Sequence, residues 1–198
     1  MSYKDKEFWK NIHISDNQPW GTAVSEVVIG KLSLIGSNKN ILDIGCGTGR
    51  NSEYLNAQGH TVTGIDFCPE AINMATGLGS DVTYLVKDIT SEAFTDTPVD
   101  CVIDFGCYHC LLPNERQDYS DKLADSLVSG GYYISVQGRL DPETDIVAAG
   151  YNHPKLSTTD FDIFNNSSFE VIGVTEHTTP PIGAYNRYAC WVVVIRKN

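Results

Sequence analysis

Positive charge is scarce in this chain of 198 residues: 14 Lys and Arg stand against 25 Asp and Glu, a formal net charge of −11 at pH 7. A surface of that sign repels phosphate backbones and anionic headgroups, so nucleic acid and membrane are not expected as partners and a small molecule is. Long apolar runs are missing as well, which leaves no candidate bilayer span. Met1 to Lys10 mixes charge with aromatics where a signal peptide would be apolar, so a cytoplasmic location is expected. There is no internal repeat and no low-complexity segment. The six cysteines, Cys46, Cys68, Cys101, Cys107, Cys110 and Cys190, are expected to be reduced in that compartment, with Cys101 and Cys190 as small core hydrophobes. Cys107 and Cys110 form a Cys-x-x-Cys pair, but no second pair and no His-x-x-x-His completes four ligands, so no metal is expected.

What is present is an alternation of short apolar runs and helical segments. Strands are predicted over Asn40–Ile44, His60–Ile65, Val82–Lys87, Val99–Phe105, Tyr132–Val136, Phe169–Thr175 and Tyr188–Arg196. Helices are predicted over Asp5–His13, Ala23–Leu34, Arg50–Gln58, Pro69–Thr76, Glu115–Leu127 (closed by Gly130-Gly131) and Thr158–Asn165, the last capped by Ser157. Strand–helix alternation implies parallel crossovers and a doubly wound α/β sheet with helices on both faces. The last two strands follow one another with no helix between, and such strands pair most easily as antiparallel neighbours. The expected fold is Rossmann-like: a mostly parallel seven-stranded sheet with one antiparallel strand near its edge, in one domain over 1–198.

Asp43-Ile44-Gly45-Cys46-Gly47-Thr48-Gly49 places three alternate glycines directly after a strand. Residues without a side chain let the chain turn sharply and let a ligand touch backbone, at the strand end where doubly wound sheets bind ligands. Asp66 ends the next strand, placed to accept hydrogen bonds from ribose hydroxyls. A pyrophosphate site has little need of a carboxylate before the glycines. Asp43 there suits a cationic ligand carrying an ammonium or sulfonium, or else simply fixes the turn.

On these residues the chain resembles the class I S-adenosylmethionine-dependent methyltransferases, well over Ile41 to Val136 and less well at the ends. The glycine turn is similar to that family's first motif, Gly64-Ile65-Asp66 to its ribose-binding strand end, and Lys87-Asp88-Ile89 to the motif whose acid faces the adenine. The resemblance implies an enzyme with S-adenosyl-L-methionine as donor and S-adenosyl-L-homocysteine as product. Its donor contacts would be Asp43, Gly45, Cys46, Gly47, Gly49, Asp66, Phe67 (near the adenine), Asp88 and Ile89. More narrowly the chain resembles the small thiopurine and tellurite-resistance-type methyltransferases. Asp104, Gly106, Tyr108, His109, Arg116 and Tyr119 follow the order of residues found there after the fourth strand. Asp104 is thereby placed at the donor, and Pro19-Trp20-Gly21 resembles a segment covering the donor, which implies a helical lid over residues 1–36 and adds Trp20 to the contacts.

In such an architecture the end of the fourth strand lies beside the reacting methyl. His109 is the candidate base there, since an imidazole titrates near neutrality, and it equally suits orienting a substrate or holding the loop. Tyr108, His13, Tyr151 and Arg187 are the candidate substrate contacts. The expected reaction is direct in-line displacement onto a small thiol, selenium or tellurium species, hydroxyl or amine, by a monomer or homodimer. A non-catalytic binder of the same nucleoside and a nicotinamide-dependent oxidoreductase on the same fold are the alternatives.

Overall fold

Runs of β-branched and aliphatic residues form seven strands in the computed structural model, which describes residues 6–15, 21–139, 155–179 and 189–198. They are β1 (Asn40–Ile44), β2 (Thr61–Asp66), β3 (Thr83–Val86), β4 (Val99–Phe105), β5 (Leu127–Gly138), β6 (Phe169–Thr178) and β7 (Ala189–Lys197). The helices are α1 (Lys6–His13), α2 (Glu26–Ile35), α3 (Arg50–Ala57), α4 (Pro69–Thr76) and α5 (Arg116–Ser126), with 3-10 turns at Tyr108–Cys110, Pro113–Glu115 and Thr158–Phe164. The sheet order is β3-β2-β1-β4-β5-β7-β6. β1 to β5 pair in parallel, while β7 runs antiparallel to both β5 and β6. The expected reversed strand is therefore β7, one place in from the edge.

Side chains alternate along the strands, so each face of the sheet has its own core. Leu42, Ile44, Ile65, Val102, Tyr133 and Val193 pack with Tyr119 and Leu123 of α5 and with Phe161 and Phe164. On the other face Ile41, Val62, Cys101, Ile103 and Ile134 pack with Val27, Val28 and Ile35 of α2 and Leu55 of α3. Among the described residues no helix is long and apolar enough to cross a membrane. Local chemistry sets the boundaries. The Val27 amide donates to the Ser25 hydroxyl at 3.3 Å, so α2 begins three residues later than expected. Ser157 stands at the predicted cap position, where the Asp160 carboxylate accepts its amide at 2.8 Å, and the segment that follows is a 3-10 turn.

One expectation is corrected. Gly130 and Gly131 do not close the helix but lie inside β5. The β4–β5 register shifts there, and a Cβ on Gly131 would stand 2.9 Å from the carbonyl oxygens of Asp100 and Val128. The pair lets β5 start early and bulge past β4.

The strand order reverses between β1 and β4: the chain runs outward through β2 and β3 on one side and through β4 and β5 on the other. The crevice at the carboxyl ends of these two strands is where such sheets bind ligands.

Candidate active site

The turn after β1 is drawn tightly against its neighbours. Cys46 N–H donates to Ile65 O at 3.0 Å, Gly49 N–H to Cys46 O at 3.0 Å, and Gly47 N–H to Asp66 Oδ2 at 3.0 Å. Gly47 has φ 55°, and a Cβ there would meet His13 Cε1 at 3.0 Å. Gly49 has φ 88°, and a Cβ there would overlap the Tyr84 hydroxyl. Both conformations strain any side chain, so glycine is required twice over. Gly45 faces Cys107, whose Cβ lies 3.0 Å from where a Gly45 Cβ would stand. The glycine turn thus meets α1 on one side and the turn after β4 on the other. Cys46 brings its backbone to this turn, while its sulfur packs toward Gly64 of β2.

Three acids expected at the donor behave differently. Asp66 is buried at the end of β2, its Oδ1 accepting Cys68 N–H at 2.9 Å and its Oδ2 accepting Gly47 N–H. Burial pushes this carboxyl up from its ordinary range, and His13 and the amides of Cys68 and Gly47 pull it back. The Phe67 amide is a third donor to it, and since a carboxylate accepts about four hydrogen bonds in total, the group retains capacity for a hydroxyl. Asp43 is buried on the α3 face, accepts the Ser52 hydroxyl at 2.6 Å, and is pushed up to about 7 by burial, with Ser52 and Arg50 opposing. Asp88 follows β3 half-buried; its Oδ1 accepts the amide and the hydroxyl of Thr90 at 3.0 and 2.7 Å. Ile89 beside it packs on the core under α5, and Phe67 packs with Trp9 and Cys68.

The end of β4 holds a buried polar network. Asp104 Oδ1 accepts Cys107 N–H at 2.8 Å and Gln137 Nε2 at 2.9 Å. Its Oδ2 accepts Tyr108 N–H at 3.0 Å, the Tyr119 hydroxyl at 2.6 Å and the Tyr133 hydroxyl at 3.3 Å. Burial raises this carboxyl while those donors pull it down. Expected beside the donor, the Asp104 carboxylate is instead turned into the protein, where it clamps the Tyr108–Cys110 turn. Gln137 carries the clamp to β5: its Nε2 also donates to Ser135 Oγ at 2.6 Å, and its Oε1 accepts His109 N–H at 3.0 Å. His109 is buried, and its Nδ1 accepts Gly138 N–H at 3.2 Å.

Tyr108 does not stand where the sequence suggested. Its side chain is fully buried against Tyr119, Phe161 and Phe164, and its hydroxyl donates to Asp160 O at 2.7 Å. It is a core residue, with the Arg116 guanidinium over its ring and paired with Asp160. His13, expected toward substrate, lies over Gly47 and interacts with Asp66, on the glycine-turn side. It arrives on α1, which packs through Trp9 on Cys68 and Ala71 of the α4 region and through Lys10 on Glu70 at 3.5 Å. Trp20, Tyr151 and Arg187 lie outside the described residues. The Cys-x-x-Cys pair is divided in its packing, Cys107 toward the glycine turn and Cys110 toward α1, and all six cysteines are free thiols.

Gln137, Ser135 and Ser52 were missed from the sequence. A signal existed for the first two: Tyr133, Ser135 and Gln137 put polar atoms at alternate positions of a buried strand, on the face that also bears Asp104.

The arrangement suits a nucleoside with a cationic head. It offers a cradle of bare backbone, a carboxylate with spare acceptor capacity one strand away, a second acid one strand further, and a half-buried phenyl ring beside the first acid.

A family model described as a methyltransferase domain matches residues 41–131. The chain is 30% identical over 122 residues to the 2-heptyl-1-hydroxyquinolin-4(1H)-one methyltransferase of Mycobacteroides abscessus, a match covering 59% of this chain and 54% of that protein. This chain thus spans about half the length of that relative. It is 33% identical over 102 residues to an uncharacterized methyltransferase of Schizosaccharomyces pombe, covering 50% of this chain and 67% of that one. In fold it resembles the 1,6-didemethyltoxoflavin-N1-methyltransferase of Burkholderia thailandensis, solved with its substrate and S-adenosylhomocysteine: TM-score 0.74, 18% identity, 98% of this chain and 87% of that one.

Proposed function

The chain belongs to the class I S-adenosylmethionine-dependent methyltransferases, whose donor is its cofactor, and from that premise we propose that it methylates a small-molecule acceptor by direct in-line displacement. Membership of this family sets the oxidoreductase alternative aside. The observation that carries the proposal is the glycine turn closed onto Asp66 at the β1/β4 switch point, directly against the turn that follows β4.

In this reading the backbone of Gly45, Cys46, Gly47 and Gly49 holds the donor's tail, with Asp43 behind it. Asp66 takes the ribose, and Phe67, Asp88 and Ile89 flank the adenine. When bound, the sulfonium supplies a methyl that needs no further activation. The protein's task is therefore alignment and exclusion of water, and alignment alone is worth about 7–11 kcal/mol of barrier. Asp104 and Gln137 fix the Tyr108–Cys110 turn that forms the acceptor's wall. Of the lid expected over residues 1–36, α1 takes the part within a single domain, covering the turn with His13, whereas α2 packs into the core of the sheet and is no part of it.

A small acceptor is supported by the net charge of −11 and by the small heterocycles named for the quinolone and toxoflavin enzymes. The thiopurine- and tellurite-type order of Asp104, Gly106, His109, Arg116 and Tyr119 supports a soft one. A cytoplasmic protein, as monomer or homodimer, remains the expected context.

Titration calorimetry with the donor tests the site. Asp66→Ala should weaken binding by about 1–3 kcal/mol, the loss of charge-assisted hydrogen bonds. Equal affinity in the variant would remove Asp66 from the site. Formation of S-adenosylhomocysteine with thiol, selenol, hydroxyl and amine panels then identifies the acceptor, and its absence with every panel would refute the small-molecule reading.

A further inference from the structure

The sheet ends in β3 on one side and β6 on the other, and the two edges are built differently. β6 is blunted: its register against β7 shifts between Val171 and Gly173, and it exposes Glu170 and Glu176. A bulge and charged side chains keep a further strand from adding to an edge. β3 pairs with β2 in unbroken register and exposes Thr83, Leu85 and Val86. Met74 of α4, the helix packed on this strand, and Leu78 just after that helix are exposed as well. The backbone of β3 points its pairing groups to alternate sides. Lys87 N–H donates to Asp66 O of β2 at 2.9 Å, so Leu85 and Lys87 face β2 while Val82, Tyr84 and Val86 face outward. Side chains cap the outward amides at both ends: Val82 N–H donates to the Ser80 hydroxyl at 3.3 Å and Asp88 N–H to Glu92 Oε1 at 2.9 Å. Between these caps, the amides of Tyr84 and Val86 and the carbonyls of Val82, Tyr84 and Val86 have no partner among the described residues.

We propose that this edge binds a second copy of the chain, β3 pairing antiparallel with the partner's β3 about a two-fold axis at Tyr84. A two-fold interface has to be complementary to itself, and this strand is. Centred on Tyr84, the pairing sets the two tyrosines opposite one another with reciprocal N–H to O bonds. It sets Val86 opposite the partner's Val82, so that Val86 N–H donates to Val82 O in each direction. Thr83 then faces the partner's Leu85 and covers it. Asp81 and Lys87 flank the strand at equal distance from Tyr84, so each acid meets the partner's ammonium. Opposite charges directly across a strand pair stabilise it, and like charges there do the reverse. Lys87 Nζ otherwise reaches Phe94 O at 3.4 Å and has donors to spare. Sliding the register by two residues either way sets Asp81 against Leu85 or Ile89 and loses both charge pairs. A strand of another protein would find the same backbone groups, but the matching charges and apolar residues in reverse order are supplied by this chain itself. β3 stands two places from β1, and the interface makes no use of the donor.

Sedimentation equilibrium of the full chain tests this, over about 1–500 µM protein and in about 0.15 M salt to screen the net charge. A monomer–dimer equilibrium is expected. Leu85→Lys, at an exposed site, should raise its Kd at least about tenfold. Asp81→Lys and Lys87→Asp should each raise it about fivefold, and the double variant should return it to the wild-type value, because opposite charges then meet again with their signs exchanged. Amide exchange of the wild-type protein reads the register without any substitution. Tyr84 and Val86 should gain protection as the concentration rises, while Leu85 and Lys87, bonded to β2, should be protected at every concentration. A chain that stays monomeric over the whole range overturns the proposal. So does a dimer that Leu85→Lys leaves intact, or one in which the two single charge variants weaken association and the double variant does not restore it. Protection of Tyr84 and Val86 in a monomer at the lowest concentration would mean that the chain covers its own edge, and protection only after a different strand-forming peptide is added would give the edge to another partner. Either result overturns the proposal as well.

Discussion

Asp43 shows how much the burial of a single carboxyl decides. Its ordinary value of 3.8 is raised to about 7 in the folded chain. The folded state therefore keeps a proton that the unfolded state has lost, and the stability this group contributes is full below pH 4, falls as pH rises, and is gone above pH 7. The window is worth about 4 kcal/mol at most. Asp43→Asn mimics the protonated form, so the fall in urea midpoint between pH 5 and 8 should flatten, though not vanish, because Asp66 and Asp104 are raised in the same direction. An unaltered slope would contradict the assignment. Tyr108 gives a second reading at this scale. Since its hydroxyl serves only Asp160 O among the bonds described, Tyr108→Phe should cost about 1 kcal/mol of stability and leave the acceptor's KM unchanged. A raised KM with unchanged stability would return Tyr108 to the substrate side.

Among the elements, α1 is one that depends on its neighbours. Eight residues are too few to hold a helix in water without tertiary support. Trp9 supplies a part of that support by packing on Cys68 and Ala71, beside the Lys10–Glu70 pair. Trp9→Ala should therefore release α1 alone: its amides should exchange much faster, the donor Kd should rise at least about tenfold, and the sheet amides should stay protected. Unchanged exchange in α1 would show that something else holds it. Local pattern made other elements legible in the sequence. β1, α4 and β4 have the predicted bounds because apolar runs and a helix-starting Pro69 mark them without reference to anything distant. The same local logic failed at Gly130-Gly131, where a helix stop and a bulge call for the same residue. The glycine turn and Asp66 were legible because they are consecutive strand ends. The inward turn of Asp104, the part played by Gln137 and the side taken by His13 were not. Each is fixed by a partner 33, 28 or more residues away in the chain, and residue type says nothing about which way such a side chain points.

Over the whole molecule, acids outnumber cations, and four of them gather around the crevice. Asp66, Asp88 and Asp104 stand at the carboxyl ends of β2, β3 and β4, and Asp43 lies behind the glycine turn. Lys39, Arg196 and Lys197 sit at the other end, where β1 begins and β7 finishes, with Lys39 paired to Asp100 at 3.2 Å and Arg196 to Glu170 at 4.0 Å. Among the described residues, three cations near the crevice are engaged: Arg116 with Asp160, Arg139 with Glu176 at 3.3 Å, and Arg50 with Ala23 O at 3.0 Å. With a total charge of −11, the whole molecule presents a negative field to an approaching cation. S-adenosylmethionine carries one net positive charge and its demethylated product carries none, so the field draws the donor in and does not retain the product. Such steering acts on the association rate and is screened by salt. Stopped-flow fluorescence should show the donor's association rate falling about fivefold between roughly 20 and 500 mM salt, with the product's rate nearly constant over the same range. If both rates fell alike, salt would be acting on the protein and not on the approach of a cation. The asymmetry between the two nucleosides therefore isolates the field from every other effect of ionic strength.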